Sequence, residues 1–118
     1  IKKRDVLEML NKMGMEDLSE IFRERFDKSV GKKGSFLSGG QRQVVWVLRA
    51  LFGKAKVIIL DEPTSALDDE SKTNVRKMIK FLTRKRTLII ITHDKDLLIG
   101  MDRVIVFNEG AIQHDKKL

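Results

Sequence analysis

Two adjacent carboxylates, Asp61 and Glu62, close the apolar run Val57-Ile58-Ile59-Leu60. A run of this kind predicts a fully buried strand, apolar without alternation. It delivers its last residues to the carboxyl edge of a sheet, where open α/β sheets take their ligands. An aspartate there can hold Mg²⁺, usually through water, while the metal bridges nucleotide phosphates. The glutamate beside it can polarise an attacking water. The plainer alternative is a strand that ends in acids and caps the next turn.

A second group is Ser38-Gly39-Gly40-Gln41, directly before an apolar helical pattern. Two glycines let backbone N–H groups approach an anion closely. The following helix turns its positive end toward that anion, and Ser38 adds a hydroxyl. A plain N-cap reads equally well from these four residues. A third group is His93, after the apolar run Leu88 to Ile91 and beside Asp94. Its imidazole can contact a terminal phosphate or orient a water, or it can simply satisfy a loop carbonyl. Ser65-Ala66-Leu67-Asp68 reads as a turn with a helix cap. His114, among Asp115, Lys116 and Lys117, is expected to face solvent.

The elements that must position these groups follow from periodicity. Val6, Leu7, Met9, Leu10 and Met13, then Leu18, Ile21, Phe22 and Phe26, recur at helical spacing, and Gly14 divides them into two helices. A polar loop spans Lys28 to Phe36, and a helix runs from about Gly39 to Phe52, stopped by Gly53. Trp46 is expected to pack in the core with Val44, Val45, Val47 and Leu48. The strand at Val57 to Leu60 is followed by a helix from Asp68 to Lys85, with Asp68 or Asp69 as N-cap. Its cations Lys72, Arg76, Lys77, Lys80 and Arg84 lie opposite Val75, Ile79 and Leu82, as on a solvated helix face. Leu88 to Ile91 predicts a second buried strand, and Lys95 to Gly100 a short helix. Val104 to Phe107 and Ala111 to Gln113 predict a hairpin across Asn108-Glu109-Gly110. Strands alternating with helices make this an α/β chain with a mainly parallel sheet.

Bulk properties narrow the classes. Apolar residues form 42% of the 118, enough for a packed core. There is no cysteine, which removes disulfides and thiolate metal sites. No apolar run reaches the roughly 20 residues of a membrane span. The formal charge of +7 permits an anionic partner without requiring one.

Taken jointly and in this order, the motifs resemble the second half of an ABC-type ATPase nucleotide-binding domain. Leu37 to Gln43 looks like the signature motif, Val57 to Glu62 like the Walker B strand with its glutamate, Ser65 to Asp68 like the D-loop, and His93 like the switch histidine. The resemblance implies a partial P-loop NTPase core. Residues 1–52 would form a helical subdomain ending in the signature helix, and 53–118 the C-terminal part of a RecA-like core. The phosphate-cradling pattern G-x-x-x-x-G-K-[ST] does not occur; Gly31-Lys32-Lys33-Gly34-Ser35 and Gly53-Lys54-Ala55 do not fit it. The resemblance therefore implies an N-terminal half bearing Walker A, and inactivity of these residues by themselves.

In the family, two such domains pair head to tail around ATP. Carried over by position, Ser38, Gly39 and Gly40 would contact the γ-phosphate of the partner's ATP, and Gln41 would support that loop. Asp61 would hold Mg²⁺, Glu62 would act on water, His93 would steady the γ-phosphate, and Asp68 would lie at the dimer contact. Transmembrane transporter domains are the implied partners and the cytoplasmic face of a membrane the implied location. Lys32 stands where exporters usually carry Glu, and Pro63 is more typical of importers and soluble members.

Two other functions fit the residues. One is a non-catalytic module complementing a P-loop in trans, against which the intact Glu62 argues. The other is a soluble ABC ATPase acting on nucleic acid. Absence of a heptad run and of zinc cysteines argues against that one, as does Gln41, where chromosome-maintenance relatives tend to have Glu.

Overall fold

The computed structural model of the chain describes residues 1–29, 31–82 and 86–118, Lys33 through its backbone alone. Val30, Arg84 and the Lys85 end of the expected fourth helix lie outside the described residues.

Helices α1 (Lys3–Lys12) and α2 (Glu16–Arg25) form an antiparallel pair joined at Gly14, whose φ of 69° suits a residue without Cβ. Val6 and Leu10 of α1 are buried, with Met13 and Met15 from the turn closing the same cluster. Buried Ser19 of α2 donates from its hydroxyl to the Leu7 carbonyl at 3.4 Å. The expected loop after α2 contains a 3-10 turn at Lys32–Gly34.

Helix α3 (Gly39–Phe52) starts and stops where its punctuation dictates. The Ser38 hydroxyl accepts from the Gln41 backbone N–H, and the Gln41 side-chain oxygen accepts from the Ser38 N–H, both at 3.1 Å. This reciprocal capping box satisfies two donors that a helix start leaves free. At the other end Arg86 donates to the carbonyls of Ala50, Leu51 (2.7 Å) and Gly53 (2.9 Å). A guanidinium thus covers the negative end of α3.

Strand β1 (Val57–Asp61) leads to α4 (Asp69–Leu82) and returns as β2 (Thr87–Ile91). The two strands pair in parallel, Val57 opposite Thr87 and Asp61 opposite Ile91. Val44, Val47 and Leu48 of α3 pack with Val75, Met78, Ile79 and Leu82 of α4, and Ile58 joins them. Burial of each such side chain contributes about 1.5–3 kcal/mol. A 3-10 turn at Lys95–Leu98 stands where a short helix was expected to reach Gly100. The hairpin β3 (Arg103–Asn108) and β4 (Ala111–Lys117) is longer than its sequence signal. Its turn is Glu109-Gly110, both left-handed, as a type I′ connection demands. Arg103 and Asp115 clamp its open end at 2.6 Å, and His114 is exposed on β4.

Two expectations are corrected. The strands are not buried on both faces: Val57 and Ile59 of β1 are 53% and 65% exposed, and Ile89 and Ile91 of β2 are 47% and 54% exposed. The helices cover one face of the pair, through Ile58, Leu60, Leu88 and Ile90. Trp46 is not core: it is 61% exposed, with the Arg49 guanidinium 5.0 Å from its ring centre. The stripe that α3 turns inward is Val44, Val47 and Leu48, and residue 46 lies on the far side of it.

Candidate functional site

The in-register pairing of β1 with β2 brings distant residues together at one sheet edge. Because Asp61 lies opposite Ile91, the residues just beyond each strand emerge side by side. Glu62 donates its N–H to the Ile91 carbonyl at 2.8 Å, extending the ladder by one bond. Its φ is then 44°, a left-handed conformation that a non-glycine residue adopts at a cost of about 1–3 kcal/mol. The Glu62 carbonyl accepts from both the N–H (3.1 Å) and the hydroxyl (2.9 Å) of Ser65, which fixes the turn. Buried Pro63 and Thr64 anchor it from below.

From β2, His93 comes to the same place. Its Nε2 stands 3.5 Å from Glu62 Oε1, and its side chain is 99% exposed. Glu62 keeps a third of its side-chain surface open. An open cavity of about 640 Å³ runs past these two groups, bordered also by Ser65, Lys72 and Lys95. It offers a carboxylate base, an imidazole and two ammonium groups to one solvent-accessible space. Asp61 is exposed and takes no hydrogen bond or ion pair from any described residue.

Thr64, Arg76 and Asp94 line the same cavity and form a network that periodicity did not reveal. Asp94 accepts from Arg76 Nε (3.0 Å) and from the same guanidinium's terminal nitrogen at both oxygens (2.9 and 2.8 Å). It also accepts from the Thr64 hydroxyl at 2.9 Å and from the Asp96 N–H at 3.1 Å. Arg76 reaches Asp96 at 3.0 Å as well. Burial pushes the Asp94 carboxyl up, but the Arg76 and Thr64 bonds, the Asp96 N–H and the Arg76 charge outweigh it, and the group lies below the usual carboxylate range. Arg76 is therefore not the solvated cation its helical position predicted. The 18 residues separating it from Asp94 carry no local signal.

The glycine-rich turn is built separately. No described hydrogen bond or ion pair joins Ser38 to Gln41 with Asp61, Glu62 or His93. Gly39 is exposed, and the nearest atom to a Cβ placed on it would be an Arg42 nitrogen at 4.0 Å. Gly40 is buried against α4 at Ser71. Ser71 is in turn held by Asp68, whose carboxylate accepts from its N–H (2.8 Å) and hydroxyl (3.1 Å). Asp68 is thus the N-cap of α4, and the Ser71 bonds keep its carboxyl below the ordinary value. Gly40 and Asp68 meet through one serine.

The chain matches the family model for ABC transporters over residues 1–65, which spans the glycine-rich turn and the Asp61-Glu62 edge. It belongs to that family. It is 42% identical over 89 residues to an ATP-dependent lipid A-core flippase of Alkalilimnicola ehrlichii, covering 75% of this chain and 15% of that one. A flippase of the same name from Neisseria meningitidis is 39% identical over 92% of this chain and 17% of its own length. The alpha-hemolysin translocation ATP-binding protein of Escherichia coli is 39% identical over 88% of this chain and 15% of its own length. The chain thus spans less than a fifth of these relatives. Among solved structures, a dimeric bacterial ABC transporter cassette superposes at TM-score 0.60 with 32% identity, over 70% of this chain and 37% of that one. An ATP-bound bacterial Atm1-family ABC exporter superposes at 0.74 over 98% of this chain and 20% of that one; at 24% identity it speaks for the fold alone. The α/β architecture is that of ABC ATPase cassettes.

Proposed function

We propose that this chain supplies the signature turn and the water-activating edge of an ATP-hydrolysing nucleotide-binding domain that energises export across a membrane. The observation carrying this reading is the convergence of Glu62 and His93, 31 positions apart in sequence, to 3.5 Å at the rim of an open cavity.

In this reading the Glu62 carboxylate takes a proton from water as it attacks the γ-phosphate of ATP. The left-handed turn and the Ser65 bonds hold the Glu62 backbone in place beforehand, which limits the reorganisation the reaction requires. His93 lends an N–H to the phosphate oxygens. The exposed Asp61 carboxylate, without a partner among the described residues, is the group that would hold Mg²⁺. Mg²⁺ would supply charge neutralisation at the phosphates.

Ser38 and the exposed Gly39 N–H, at the positive end of α3, face the γ-phosphate of ATP held by a second nucleotide-binding domain, with Gln41 bracing the turn and Asp68 at the dimer contact. Gly40 contributes chiefly by seating the turn on α4. Residues 1–52 act as the helical subdomain and 53–118 as the core portion. Transmembrane domains are the coupled partners, placing the assembly at the cytoplasmic face. Among the described residues no helix is long and apolar enough to cross a membrane.

The test is Glu62→Gln in the full protein that carries this chain. Turnover of ATP should be lost while ATP binding persists. Undiminished turnover would overturn the reading.

A further inference from the structure

We infer that Arg76 is a positioning residue for ATP hydrolysis, clamping the loop that carries His93 to the turn that carries Glu62. The inference rests on the reading of Glu62 and His93 given above and adds to it the element that sets their separation.

His93 is almost fully exposed and Glu62 a third exposed, and one contact of 3.5 Å between such side chains does not fix either. Their backbones are fixed instead by what lies underneath. On one side Thr64, two residues beyond Glu62, is 3% exposed and donates its hydroxyl to Asp94. On the other side Asp94 directly follows His93, and its N–H returns to the Thr92 hydroxyl at 2.9 Å. Asp94 Oδ2 therefore joins the two segments, and Arg76 holds Asp94 on both oxygens from the facing side of α4.

The Asp94 side chain is only 14% exposed and that of Arg76 28%, so the pair is much less open to solvent than His93. A planar guanidinium engaging a carboxylate through several N–H bonds fixes direction as well as distance, which an ammonium does not. The anchor is on α4, the helix that Asp68 caps and on which Gly40 rests. Arg76 thereby ties the water-activating edge to the element that also seats the signature turn. Its described bonds run to Asp94 and Asp96, so it reaches Glu62 and His93 through Asp94 and Thr64.

The experiment uses the full protein with ATP as probe. Misplacing a catalytic group by about 1 Å costs up to about 100-fold in rate. Arg76→Ala and Asp94→Asn are each expected to lower kcat about tenfold or more, with the KM for ATP changed less than about twofold. The double variant should be no slower than the poorer single, because both remove one clamp. Arg76→Lys, which keeps charge and stem, and Thr64→Val, which keeps shape, should fold normally and fall between wild type and Arg76→Ala. A merely structural role would lower the unfolding temperature and leave kcat per folded molecule intact, and that result overturns the inference. So does a wild-type kcat in Arg76→Ala beside an inactive Glu62→Gln. If Glu62→Gln itself turns over normally, the underlying reading fails first, and this inference falls with it.

Discussion

Ser71 stands so close over Gly40 that a Cβ on the glycine would lie 2.1 Å from its hydroxyl and 2.7 Å from its Cβ. Gly40→Ala should therefore force α3 and α4 apart, at about 1–3 kcal/mol. Ser71→Gly in the same molecule should recover part of that loss. Gly39→Ala, with open space around it, should leave the midpoint of thermal unfolding nearly unchanged. Equal destabilisation by the two alanines would contradict the packing described. Gly39→Asp should fold too, yet abolish turnover in the full protein by setting a carboxylate against phosphate; normal turnover would reduce the turn to a helix cap.

Arg86 gathers three carbonyls at the end of α3. Arg86→Ala removes a charged donor from these half-buried acceptors and should cost about 1.5–3 kcal/mol. The measurement is the urea midpoint of unfolding. A shift under about 0.5 kcal/mol would mean that water replaces the guanidinium without loss.

Asp94 has a depressed carboxyl in the folded chain, so the sign of its pH effect is determined. The unfolded chain, with an ordinary value near 3.9, binds a proton first as pH falls. The stabilisation is complete above that value and is lost as pH drops through the lower folded one. The difference in unfolding free energy between wild type and Asp94→Asn should be flat from pH 8 to about 5 and shrink below about 4. A difference that instead grows on acidification would refute the Arg76 and Thr64 partnership.

The two faces of β1 should respond oppositely to substitution. Ile58, 7% exposed, faces the helices, and Ile58→Ala should cost about 2–4 kcal/mol. Ile59 and Ile89 face outward, and threonine at both should alter the stability of the 118-residue polypeptide by less than about 0.5 kcal/mol each. The same pair should reduce its binding of a hydrophobic dye. Strong destabilisation by the threonines would mean that the outer face is covered.

Legibility from sequence depended on whether the signal was local. Helix α3 was readable to the residue because Ser38, Gln41 and Gly53 are caps, and capping is short-range chemistry. For α4 the same chemistry left Asp68 and Asp69 both open as N-cap, and the Ser71 bonds decide for Asp68. The apolar runs predicted both strands, but a run cannot say how many faces are covered, and here Ile59 and Ile91 are bare. Trp46 was misjudged by counting apolar neighbours; the three-and-four spacing of Val44, Val47 and Leu48 already puts it on the other side. At the candidate site, Asp61, Glu62 and His93 each had a plain structural alternative alone and became candidates only through the joint order of the motifs. The Arg76–Asp94–Thr64 clamp was not, since it exists only after α4 folds over the sheet edge.

Trp46 has an optical consequence. It is the chain's one tryptophan, there is no tyrosine, and it sits in water on the outer side of α3 beneath Arg49. Its emission should lie close to that of a solvated indole in the native state, so denaturation is expected to move the wavelength little, and circular dichroism is the better report of unfolding. Anything that settles on this side of α3 will dry the ring and shift its light to the blue. The chain carries its own fluorophore for docking, at the helix whose first turn meets the nucleotide in the proposed sandwich.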